Sequence, residues 1–160
     1  MALSEENQLE RCFKAATNYL VYRPRSEPEL RERLRRKGFT PENIEAVIAK
    51  LKRLRLVDDT AFAEFWRDNR ESFSPRSKAL TRRELKQKGI AEDIIDITVA
   101  AIDDEDSAYR AAVSKARVLS LSDYESFRRK LGGYLQRRGF NYGVIERTIK
   151  RVWQEGTSSQ

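Results

Sequence analysis

One pattern recurs three times at a nearly fixed interval, and it constrains the fold more than any other feature of the chain. The stretches Glu29–Leu51, Leu80–Ile102 and Lys130–Val152 align on Gly38, Gly89 and Gly139, which lie 51 and 50 residues apart. Four positions before each glycine stands a leucine: Leu34, Leu85 and Leu135. One before it is a base (Lys37, Lys88, Arg138) and one after it an apolar residue (Phe39, Ile90, Phe140). Six after it is an isoleucine: Ile44, Ile95 and Ile145. Self-similarity at this period means one supersecondary unit stacked on copies of itself.

Each copy reads as helix, glycine turn, helix. The glycines suit the left-handed C′ position, where a missing Cβ removes the steric penalty. The base before each then sits in the last helical turn, where the macrodipole favours a cation. The first helix of each pair is predicted at about 27–37, 76–88 and 124–138, the second at about 41–55, 91–102 and 142–154. A longer helix precedes each pair, at about 5–23, 59–72 and 105–119. Ser26 with Glu29 and Ser122 with Glu125 read as capping boxes. Thr40-Pro41 and Ser74-Pro75 read as N-caps followed by proline at the first helical position. The expected fold is all-α: three tandem three-helix (helix-turn-helix-like) repeats in an elongated curved array. The repeats divide at 1–57, 58–103 and 104–155, with a frayed tail at 156–160 and a similar N-terminus up to about Glu6.

Charge and residue usage then restrict function. Charged residues make up 36% of the chain, against a norm of about 25%, and the net charge is +7. That balance favours a polyanionic or acidic partner. Histidine is absent and Cys12 is the only cysteine, which removes His-based acid–base chemistry, Cys–His or Ser–His pairs and nearly every zinc site. With no secretory leader and no apolar run long enough for a membrane span, a cytosolic protein is expected. The tetrad Asp103-Asp104-Glu105-Asp106 lacks the alternating spacing and turn glycine of a calcium loop. It reads as an N-cap with a negative first turn. No metal, no cofactor and no catalysis are expected.

Bases cluster in the short middle helix of each repeat. With Leu34 and Leu85 inward, Arg31 with Arg35 and Arg82 with Lys86 form i, i+4 pairs beside the buried stripe. Arg83, Arg128 and Arg129 extend the set. Equivalent helices displaying equivalent bases would follow a long anionic partner; for any single arginine a solvated charge is the simpler reading. The two bases three and seven before the glycine are absent from the third repeat, where Gln136 and Gly132 stand instead, and Gly132-Gly133 replaces the charged positions Arg31-Glu32 and Arg82-Arg83. Phe39 and Phe140 share a position with Ile90 and so read as core, and Trp66 and Trp153 as packing. The helices after the glycines begin with acidic or apolar residues, which argues against a major-groove reader.

These segments resemble a known family. Leu56-Val57-Asp58-Asp59-Thr60-Ala61-Phe62-Ala63, then Ser74-Pro75-Arg76, then Arg83-Glu84-Leu85-Lys86-Gln87-Lys88-Gly89-Ile90 look like the core of the bacterial RecX regulatory proteins. Upstream, Ser26-Glu27-Pro28-Glu29-Leu30-Arg31-Glu32-Arg33-Leu34 is similar to the same family, and the ordered match spans about 15–153. The resemblance implies a tandem three-helix-repeat protein that binds the filament of the RecA recombinase on DNA, mostly as an inhibitor, and touches DNA directly or through that filament. It carries over no contact residue: the basic positions rest on the repeat alone. A basic DNA-binding protein acting independently of RecA is the alternative; a nuclease fits poorly.

Overall fold

A computed structural model of the protein describes residues 4–159. Among the described residues it contains nine helices and no strand: α1 (Glu5–Tyr22), α2 (Glu27–Arg36), α3 (Pro41–Arg53), α4 (Asp59–Phe73), α5 (Lys78–Gln87), α6 (Glu92–Val99), α7 (Asp104–Ala116), α8 (Tyr124–Arg137) and α9 (Tyr142–Ser158). They follow the expected three-helix order three times over, but in the third repeat the leading helix α7, of 13 residues, is not longer than the middle helix α8, of 14 residues.

The glycine turns form as the repeat predicts. Gly38, Gly89 and Gly139 have φ of 89°, 80° and 91°. After each, the amide of Phe39, Ile90 or Phe140 donates back to the carbonyl of Leu34, Leu85 or Leu135. This six-to-one bond satisfies a carbonyl that the helix end would otherwise leave bare. The same leucines are fully buried, so one residue type serves both the turn and the core. Burying each contributes about 1.5–3 kcal/mol.

The chain falls into two compact units. The first is Met1–Trp66 with Leu85–Ile95, the second Arg67–Glu84 with Asp96–Gln160. Helices α4, α5 and α6 therefore each contribute to both. The first core gathers Cys12 and Ala16 of α1, Leu30 and Leu34 of α2, and Ile48 and Leu51 of α3. The second gathers Ala108 and Ala112 of α7, Phe127 and Leu131 of α8, and Ile145 and Ile149 of α9. Burial pushes the Cys12 thiol up.

Within each unit the same device joins one repeat to the next. In the first, the Ser26 hydroxyl donates to the Lys88 carbonyl at 2.8 Å, and Asp59 Oδ1 accepts from the Glu27 amide at 2.8 Å. In the second, the Ser77 amide donates to the Arg138 carbonyl at 3.0 Å, and Asp104 Oδ1 accepts from the Lys78 amide at 2.8 Å. The first amides of α2 and α5 thus find their acceptors in the following repeat, where orphan amides need them. The approach is close: a Cβ on Gly89 would stand 2.6 Å from Pro28 Cγ, and one on Gly139 2.7 Å from Leu80 Cβ.

Several helix starts differ from expectation. Ser74-Pro75 does not open α5; the Ser74 amide still donates to Arg70 of α4. Ser77 is the cap, accepting from the Leu80 amide at 3.0 Å. Ser26 and Ser77 both stand 12 residues before their glycine, so repeat register outweighs the local Ser-Pro signal. At α8 the cap is Asp123, which accepts from the Glu125 amide, and Ser122 instead meets Ser120. A carboxylate is the stronger acceptor for an N-terminal amide. Thr40-Pro41 caps α3 as read. Asp103 caps α7 by accepting from Glu105 and Asp106, and among the described residues no cluster suits a metal. Ser26 accepts from the Glu29 amide, but the Glu29 carboxylate turns to Arg23 at 3.0 Å and Lys88 at 3.2 Å rather than completing a capping box.

Both chain ends are more helical than expected. Ser4 caps α1 by accepting from the Asn7 amide, while residues 1–3 lie outside the described residues. The helix expected to stop near 154 continues to Ser158. There the Thr157 hydroxyl donates to the Trp153 carbonyl and the Ser159 hydroxyl to the Glu155 carbonyl. Gln160 lies outside the described residues.

Candidate nucleic-acid and filament interface

The leucine, glycine and isoleucine positions stand where the repeat puts them. Leu34, Leu85 and Leu135 are buried, as are Ile44, Ile95 and Ile145. The basic positions behave differently from one another. In the first unit, Arg31 bonds Glu27 at 3.0 Å and also Glu45. Arg35 bonds Glu32 at 2.7 Å, and Arg36 shares that carboxylate. Lys86, on the part of α5 belonging to this unit, stands 3.5 Å from Glu92. Hydrogen bonds from Arg31 and Arg35 hold the Glu45 and Glu32 carboxyls below the usual carboxylate range.

In the second unit, Arg82 of α5 bonds Asp96 of α6 at 2.7 Å, and Arg128 of α8 bonds Glu146 of α9 at 2.8 Å. Arg83 and Arg129 are exposed, and among the described residues neither makes an ion pair. The bases expected to form an open cationic face thus divide into two kinds. Arg31, Arg35, Arg82, Lys86 and Arg128 carry an acid beside them, whereas Arg83 and Arg129 do not.

A repeat explains that division. Arg31 and Arg82 stand seven before their glycines, and their partners Glu45 and Asp96 stand seven after. The bridge therefore ties the middle helix to the following one at the same place in both repeats. In the third repeat Gly132 takes the basic position while Glu146 keeps the acidic one. Arg128, one turn earlier on α8, reaches Glu146 in its place. The recurring acid at Glu45, Asp96 and Glu146 was the available signal. Reading the bases alone misses it.

The missing side chain at Gly132 leaves a groove between α8 and α9. It has a volume of about 290 Å3 and is lined by Arg128, Arg129, Gly132, Gly133, Gln136 and Tyr142 over a floor of Phe140, Ile145 and Ile149. Of the aromatics, Trp153 packs against Tyr124 and Phe127 and Phe140 is buried. Tyr22, Phe73 and Tyr142 are exposed at 83%, 81% and 73%.

Comparison with known proteins places the chain. The profiles of the RecX first, second and third three-helix domains match residues 12–51, 58–98 and 103–149 in that order. The chain belongs to the RecX family. It is 36% identical to the Regulatory protein RecX of Chlorobium limicola over 88% of this chain and 89% of that one. It is 31% identical to the Regulatory protein RecX of Amycolatopsis mediterranei over 96% of this chain and 89% of that one. Its fold is similar to the crystal structure of RecX from Lactobacillus salivarius, with a TM-score of 0.73 and 25% identity over 92% of this chain and 97% of that one. The RecX resemblance in the Leu56–Ala63 segment now has a structural content. Asp58 caps α4 by accepting from Thr60 and Ala61, Asp59 joins two repeats, and Phe62 and Ala63 are buried. Among the described residues no helix is long and apolar enough to cross a membrane.

Proposed function

We propose that this RecX-family chain regulates the RecA recombinase, mainly as an inhibitor, by binding the RecA–DNA filament in the cytosol without catalysing a reaction of its own. In doing so it modulates recombination and the response to DNA damage. The carrying observation is the ordered match of all three RecX domains along the chain. The net charge of +7 supports a polyanionic target, because a filament on DNA presents phosphates along its length. The three repeats, divided near 57 and 103, supply the basic face. Arg83 and Arg129 meet the target directly, while Arg31, Arg35, Arg82, Lys86 and Arg128 add field while bonded to their acids.

The test is a DNA-dependent RecA ATPase and strand-exchange assay over a salt series. Inhibition is expected at protein concentrations well below those that saturate the DNA, fading as salt rises. Unimpeded RecA alongside tight binding to bare DNA would replace this reading with a RecA-independent DNA-binding protein.

A further inference from the structure

The groove on the third repeat has features the RecA reading does not use. Gly132 and Gly133 lie in the middle of α8, and glycine is the poorest helix former after proline. The fold does not require either. A Cβ on Gly132 would stand 3.6 Å from Ile149 Cδ1, an ordinary contact, and one on Gly133 would meet only Arg137 Nη1 at 3.3 Å. That atom ends a flexible side chain and can move. Two residues that weaken their helix and relieve no clash leave an open surface as their structural consequence.

The rim of that surface is cationic. Arg129, Gly133 and Arg137 lie four residues apart along one stripe of α8, and Arg137 folds toward the space above Gly133. Arg129 and Arg137 are eight residues apart, about 12 Å along the axis. Both are exposed, and among the described residues neither makes an ion pair. The acid in the groove, Glu146, is bonded to Arg128. Tyr142, in the first turn of α9, is 73% exposed at the mouth, and the floor beneath is apolar.

We propose that this groove binds single-stranded DNA. One base enters over the two glycines and stacks on Tyr142, while Arg129 and Arg137 hold the phosphates on either side. A rim of available cations, an exposed aromatic ring and a bare apolar floor match the phosphates and base of an unpaired strand. A protein segment would have to place acidic side chains at both arginines. A duplex keeps its bases stacked and cannot fill the floor. The side-chain-free stretch, which stands where the other repeats carry the charged pairs Arg31-Glu32 and Arg82-Arg83, thereby becomes a contact.

The experiment is fluorescence anisotropy of a labelled thymidine oligonucleotide with the full chain, over a salt series. Comparison proteins are Gly133→Leu, which adds an apolar side chain to the groove lining at constant charge, and Arg129→Gln. Thermal melting by circular dichroism checks that both fold. Gly133→Leu should weaken binding at least tenfold with an unchanged or raised melting temperature. Arg129→Gln should weaken it and lower the slope of log affinity against log salt by about 0.7. Equal affinity of Gly133→Leu and the parent chain would overturn the site. So would a parent chain that inhibits RecA without binding the oligonucleotide, which leaves the RecA reading intact. Loss of RecA inhibition in Gly133→Leu with oligonucleotide binding unchanged would make the groove a protein contact and refute the DNA assignment. If the parent chain binds the oligonucleotide through this groove but leaves RecA unaffected, the site stands and the RecA reading falls.

Discussion

Replacing the three turn glycines by alanine, one at a time, separates local backbone strain from the close approach of neighbouring repeats. All three have φ between 80° and 91°, so each alanine carries the left-handed penalty of about 1–2 kcal/mol. Restricting the unfolded chain returns about 0.4–1 kcal/mol of that. At Gly38 nothing lies within 4 Å of the new Cβ, so Gly38→Ala should cost about 1 kcal/mol. At Gly89 the Cβ would stand 2.6 Å and 2.7 Å from Pro28 Cγ and Cβ. Those atoms belong to a rigid ring near the start of α2, so the helix itself must move. Overpacking of this kind adds about 1–3 kcal/mol, for a total of about 2–4 kcal/mol. Gly139→Ala meets Leu80 Cβ at 2.7 Å and should cost a similar amount. Urea denaturation followed by helical circular dichroism measures all three. If Gly38→Ala proves as damaging as the other two, strain alone governs the glycines and the close approach at the repeat junctions contributes nothing.

Leu85→Ala should destabilise by about 2–5 kcal/mol, because Leu85 is fully buried; Leu54→Ala, at a residue 53% exposed, should stay within about 0.5 kcal/mol, and equal losses in urea melts would refute the burial argument. Burial is the main cause raising the Asp59 carboxyl above 3.8, opposed by the bond from the Glu27 amide. The native state therefore holds this proton more tightly than the unfolded chain does. Its contribution is full below the unfolded value and declines as pH rises through the raised native value. Asp59→Asn keeps an acceptor for Glu27 and should gain on the parent chain across that rise; a constant difference in urea midpoints between pH 3 and pH 7 would count against it. Glu45→Gln with Asp96→Asn removes one acid from beside each of Arg31 and Arg82 and should tighten oligonucleotide or filament binding at low salt. Unchanged affinity would restrict those two arginines to fastening helix to helix.

Much of the architecture is legible in the chain because it rests on short-range periodicities. A leucine, a glycine and an isoleucine at constant offsets specify a helix, its left-handed terminus and the buried face of the next helix, all within about 11 residues. The same locality misplaces two helix starts. Ser74-Pro75 and Ser122 carry good local signals, but Ser77 and Asp123 take those roles. At Ser77 the competing partner is the Arg138 carbonyl, 61 residues away in sequence.

The candidate site shows the same division more sharply. Composition and repeat register identify the bases of α2, α5 and α8, and every one of those residues lies on the helix expected of it. Which bases stay available is settled for Arg31, Arg82, Lys86 and Arg128 by carboxylates on a different helix, and for Arg35 by Glu32 on its own. Arg31 meets Glu45 and Arg82 meets Asp96 across 14 residues, and Arg128 meets Glu146 across 18. Likewise, Gly132-Gly133 reads in sequence as a loss of binding residues, while in three dimensions it opens a groove beneath Arg129 and Tyr142. The sequence alone determined the helices, their turns and the sign of the charge, since these depend on neighbours within a few residues. Only the tertiary structure decided which charges are neutralised and where the surface is open, because both depend on side chains that folding brings together from separate helices.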